Sequence, residues 1–207
     1  AVGIAMIGVG AAGTALVIWP QSGVTEPVFR RRFGMVAALL SLSLPTSAHL
    51  AAAVAYEPFF TDRLGPSLLA LAARVSVLAV PFFLAALLLG MSLVHRADTA
   101  PRLYGANLIG AGAGALSFPL LSTQLFPSRL VLFYSVVAAT GWLIGAGPNR
   151  RARLTGILVA GFAIAGLVRW DIPRLVMSQY KDLSGASLLT GAVVEHRLHG
   201  PQGLLTT

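Results

Sequence analysis

The chain has 207 residues, 56% of them hydrophobic and only 11% charged, with a formal net charge of +8 and no cysteine. That balance lies outside the range of soluble globular domains, and the lack of cysteine excludes disulfides, thiolate metal sites and cysteine nucleophiles. The positive charge does not point to nucleic acid, because the basic residues flank apolar stretches and form no basic face with interleaved aromatics.

Six apolar stretches follow one another over 1–19, 34–55, 67–93, 104–125, 130–147 and 154–170, and none of the seven acidic residues falls inside one. Each is near the ~20 residues a helix needs to cross a ~30 Å hydrocarbon layer. Backbone amides in lipid must be satisfied within the segment, and the alternation of a transmembrane barrel is absent. The expected fold is therefore all-α, a polytopic bundle of about six transmembrane helices over 1–170, followed by a polar tail over 171–207.

In the first stretch, Gly8, Gly10 and Gly13 of AMIGVGAAGTALV match the spacing of a dinucleotide-binding loop. The run is continuously apolar, no strand precedes it, and the next acid, Glu26, lies in a loop, so the glycines are read as close helix-packing positions, Gly8 and Gly13 above all. No charged segment precedes the run and no small-residue cleavage site follows it, so it is read as a span and not a signal peptide. Trp19 closes it as an interfacial anchor, as Trp142 and Trp170 close the fifth and sixth stretches.

The second stretch carries His49, four residues after Pro45. A histidine at that depth suits a proton relay or a haem ligand. A second axial histidine is missing at similar depth, since His95 lies at a span end, and hydrogen bonding between helices is the preferred reading. In the third stretch Arg74 is the one basic residue well inside a span. Intramembrane charge marks function by default, but a long span lets Arg74 snorkel to the interface or meet carbonyls near Pro81. The fourth stretch offers Asn107 as an interhelical hydrogen-bonding residue and Gly110, Gly112 and Gly114 as a packing face, Gly110 and Gly114 at small-xxx-small spacing. Pro45, Pro81 and Pro119 each interrupt a span, the pattern of a pathway built from broken helices.

Loops after the first, third and fifth stretches hold Arg30, Arg31, Arg32, Arg96, Arg102, Arg150, Arg151 and Arg153, against Arg63 and Arg129 on the alternate side. The positive-inside rule places the arginine-rich loops in the cytoplasm. Six spans return the tail to the outer side, whereas its Arg174, Lys181 and Arg197 suit the inner side, and a miscounted sixth span would leave it there. Within the tail, Glu195, His196 and His199 form EHRLH, which lacks a third metal ligand. Two short strand-like runs around Gly-Pro-Gln-Gly read as the start of a β-hairpin.

Four segments, AMIGVGAAGTALV, VPFFLAALLLG, RLYGANLIGAGAGALSFPLL and SQYKDLSGASLLTGAVVEHRLHGPQGLLTT, together resemble the membrane region of bacterial spermidine-synthase-like proteins. The arginine-led, glycine-rich fourth span and the linker around Tyr180 and Lys181 carry most of the resemblance. It implies a multi-span region leading into an aminopropyltransferase-like domain of class-I methyltransferase-type fold, with the tail opening that domain. That family's glycine-rich strand-loop and catalytic acids belong to the later domain, so no catalytic, cofactor-binding or metal-binding residue is assigned and no cofactor is expected. The expectation is a non-catalytic anchor or scaffold in the inner membrane of a bacterium, with the lipid bilayer and other membrane subunits or a second copy as partners. The alternatives are a structural subunit of a larger membrane complex and a transporter-like bundle using His49, Arg74 or Asn107.

Overall fold

The computed structural model describes residues 2–19, 23–54, 64–125, 127–145, 197–200 and 203–206, with isolated helical positions between 154 and 165. Up to residue 145 the described elements are helices: α1 (Val2–Ile18), α2 (Glu26–Ala53), α3 (Leu64–His95), a 3₁₀ turn (Ala97–Thr99), α4 (Ala100–Ser122) and α5 (Pro127–Gly145). Near the C-terminus, β1 (Arg197–Gly200) and β2 (Gly203–Thr206) pair antiparallel, with Arg197 opposite Thr206 and Gly200 opposite Gly203.

Two helices, over Glu26–Ala53 and Ser67–His95, are long and apolar enough to cross a membrane, while Val2–Ile18 and Arg129–Leu143 are shorter apolar helices. At 1.5 Å per residue α2 and α3 reach roughly 42 and 48 Å, longer than the ~30 Å thickness of a hydrocarbon layer. The start of α2 differs from expectation. Thr25 takes an extended conformation at the N-cap, Glu26 enters the first turn and Pro27 occupies an early position whose N–H has no helical acceptor. The helix thus begins two turns before the apolar run at Gly34, and Glu26 belongs to it instead of to a loop.

Helix directions follow from contacts in three helix pairs. A Cβ on Gly8 of α1 would sit 2.7 Å from the Ala79 carbonyl oxygen and 2.8 Å from Phe82 Cβ of α3, and Gly90 of α3 receives the side chain of Leu16. Position numbers rise together along both helices, so α1 and α3 are parallel. Ser41 meets Ser135, and Gly34 lies against Trp142, so α5 runs antiparallel to α2. Glu26 at the start of α2 meets His95 at the end of α3, which sets that pair antiparallel as well. A core of Ala12, Phe29, Val36, Leu84, Leu87 and Met91 joins α1, α2 and α3, and Ala37 with Trp142 joins α2 to α5.

The expected breaks at proline are absent, since α2, α3 and α4 continue through Pro45, Pro81 and Pro119. For α2 the reason is visible. Pro45 has no N–H to give to the carbonyl of Ser41 one turn earlier, and the Ser135 hydroxyl donates to that oxygen at 2.6 Å. Ser41 Oγ in turn donates to the Ser135 carbonyl at 2.8 Å. Both serines are buried, so a reciprocal pair of hydrogen bonds satisfies the orphaned group inside the bundle.

The arginine end as candidate functional site

The C-termini of α1, α3 and α5 and the N-termini of α2 and α4 share one end of the bundle, which carries Arg30, Arg31, Arg32, Arg96 and Arg102. Glu26 organises its centre. Its Oε1 accepts from Arg30 Nε at 2.7 Å and from Arg96 Nη2 at 3.3 Å, and its Oε2 lies 3.1 Å from His95 Nε2. The i,i+4 spacing of Glu26 and Arg30 brings them together on one helix face, while His95 and Arg96 arrive from the end of α3. The hydrogen bond with His95, then that with Arg30, and the charges of Arg30 and Arg96 lower the Glu26 pKa from 4.5 to about 2. The position at a helix N-terminus favours the same ionised form.

His95 is largely covered because its ring stacks on Phe29, with centroids 4.0 Å apart and planes within 8°. Phe29 contacts Phe33 at 5.8 Å. On the α1 side, the Arg32 guanidinium sits 4.8 Å from the centroid of the Trp19 ring, a cation–π distance. The cluster therefore ties the ends of three helices together with one carboxylate, one stacked imidazole and one stacked guanidinium. Sequence reasoning placed Glu26 in a loop and left His95 at a span end. Thr25-Glu26-Pro27, an N-cap residue followed by an acid and a proline, is the signal that locates the helix start.

The intramembrane polar candidates do not converge. His49 and Asn107 are exposed and Arg74 is partly exposed, and among the described residues none of the three makes a side-chain hydrogen bond or ion pair. By helical rise, Asn107 sits ~10 Å from the arginine end, whereas His49 and Arg74 sit ~30 to 35 Å from it. Among the described residues, hydrogen bonds between helix midsections join Ser41 to Ser135, and Ser117 to Tyr134 at 3.0 Å. Hydroxyl side chains meet where the helices are close, whereas His49 and Asn107 lie exposed.

The packing glycines divide in the same way. Gly8 abuts the α3 backbone, but a Cβ on Gly13, Gly110 or Gly114 would meet nothing within 4 Å. Gly90, which admits Leu16, is a close-packing position that the spacing rules passed over. Trp19 stays partly covered beneath Arg32, whereas Trp142 is corrected from interfacial anchor to core residue: it is 5% exposed, and its buried indole N–H meets no acceptor among the described residues. Trp170, Glu195 and His196 lie outside the described residues, and among those described no cluster of metal-ligating side chains occurs.

No family model, curated protein or solved structure matches the chain.

Proposed function

We propose that the chain is the integral membrane region of a spermidine-synthase-like protein, serving as a non-catalytic anchor or scaffold with about six spans in the inner membrane of a bacterium. One observation carries the membrane part of this reading. Large apolar side chains cover the outside of the helices, among them Leu69, Ile109, Leu116 and Leu120, each 70% or more exposed. In water such a surface is an aggregation liability, and in a bilayer it is the solvent-facing surface. The two span-length helices and the shared end for Arg30, Arg31, Arg32, Arg96 and Arg102 agree with it. The arginine end then faces the cytoplasm. The family part rests on the four sequence segments, with β1 and β2 as the opening strands of an aminopropyltransferase-like domain.

A second reading, a structural subunit of a larger membrane complex, is favoured by α4. Only Ser122 of its described side chains is buried, and among the described residues nothing lies within 4 Å of a Cβ on Gly110 or Gly114. A partner helix at that face would use the small residues as spans in membranes do. Extraction of membranes with alkaline carbonate tests the common claim. An integral protein stays in the pellet, and release into the supernatant contradicts both readings. Crosslinking from cysteines placed at Gly110 and Gly114 then separates them, since a subunit gives a defined crosslinked partner and a self-contained anchor gives none.

A further inference from the structure

The outer face of α2 joins cations to an apolar stripe. At roughly 100° per residue, Met35, Leu39 and Leu42 fall on one side of the helix, and all three are exposed. One turn nearer the arginine end, Arg31 and Arg32 stand roughly 40° and 60° to either side of Met35. Arg31 is exposed and, among the described residues, has no ion-pair or hydrogen-bond partner. Arg32 is partly covered, with its guanidinium over Trp19. Glu26 pairs with Arg30, His95 and Arg96.

Two guanidiniums at the head of an exposed apolar stripe match a ligand with an anionic head and a hydrocarbon body. A soluble phosphate has no use for Met35, Leu39 and Leu42, and an apolar partner helix has no use for Arg31. The geometry points to a binding site for an anionic phospholipid of the bilayer, its phosphodiester held by Arg31 and Arg32 and an acyl chain laid along Met35, Leu39 and Leu42. Guanidinium suits the phosphate because it presents paired donors in a plane. Trp19 fixes the direction of Arg32, so less side-chain freedom is lost on binding. The inference rests on the membrane reading above.

The test uses the full chain in mild detergent, titrated with phosphatidylglycerol, phosphatidylcholine or inorganic phosphate and read by native mass spectrometry. Phosphatidylglycerol is expected to be retained over phosphatidylcholine, and inorganic phosphate is expected not to compete. Each arginine removed, in Arg31→Gln and in Arg31→Gln with Arg32→Gln, lowers that preference about fivefold, the effect of one juxtamembrane charge on an anionic lipid. Arg129→Gln, at the opposite end, leaves it unchanged. Arg31→Gln alone keeps the Trp19 contact, so its loss of lipid does not depend on a repacked α1. Equal retention of both lipids, competition by inorganic phosphate, or an equal loss in Arg129→Gln overturns the site. Release of the chain by alkaline carbonate overturns the membrane reading and the site with it, whereas carbonate resistance without lipid preference overturns the site alone.

Discussion

The Ser135 hydroxyl donates to the carbonyl of Ser41, 94 residues away, at 2.6 Å. That oxygen is the one Pro45 leaves without its helical donor, which makes Ser135 the side chain that satisfies the backbone of α2 where the helix passes through a proline. In Ser135→Ala the carbonyl stays buried without a donor, a loss of about 1–2 kcal/mol in lipid or detergent. Pro45→Ala restores the backbone donor, so Ser135→Ala costs less in that background. Unfolding of the four proteins of the double-mutant cycle in mixed micelles measures the coupling. Additive effects contradict the pairing.

Close packing of α1 on α3 makes Gly8 intolerant of bulk. The contacts of its absent Cβ are the Ala79 carbonyl, Phe82 Cβ and the Phe83 amide, none of which is the flexible end of a side chain. Gly8→Leu forces the helices apart at a cost of about 1–3 kcal/mol, typical of overpacking. Gly110→Leu, where a Cβ meets nothing within 4 Å, leaves the unfolding midpoint of the monomer unchanged. Thermal scans of both variants in detergent check the contrast, and equal destabilisation contradicts the α1–α3 interface described here.

Much of the helical layout was legible, because acid-free apolar runs of span length have few alternatives to helix. What the runs withheld was direction around the axis. Gly8, Gly13, Gly110 and Gly114 are alike in sequence, and among the described residues only Gly8 lands against another helix. Trp19 and Trp142 both close apolar stretches, yet one holds an arginine at the bundle end and the other is buried against Ala37. The Ser135 partner of Pro45 was out of reach of local patterns, since it depends on which helices become neighbours. Glu26 was misplaced for a different reason: hydropathy marks where the apolar run begins, at Gly34, and α2 starts before that point.

The Glu26 cluster predicts a pH dependence of defined sign. Glu26 lies ahead of the apolar run, and its folded pKa of about 2 is below the ordinary 4.5. Its contribution is therefore complete above 4.5 and is lost as pH falls through about 2. Thermal midpoints of the wild type and Glu26→Gln differ above pH 5 and converge as acid protonates Glu26. The carboxylate and both arginines are substantially exposed, so the difference is small and shrinks in high salt. A difference that persists unchanged below pH 2 contradicts the assignment.

The central claim, that the helices thread a membrane with the arginine end on one side, is tested most directly by single-cysteine labelling in sealed inner-membrane vesicles. The chain has no cysteine of its own, so there is no background. Thr25→Cys and Asp98→Cys lie at the arginine end, before α2 and in the turn after α3, and Gln124→Cys lies beyond the far end of α4. An impermeant maleimide is expected to reach the first two positions from the cytoplasmic side and Gln124→Cys only from the opposite side. Labelling of all three from one side contradicts it.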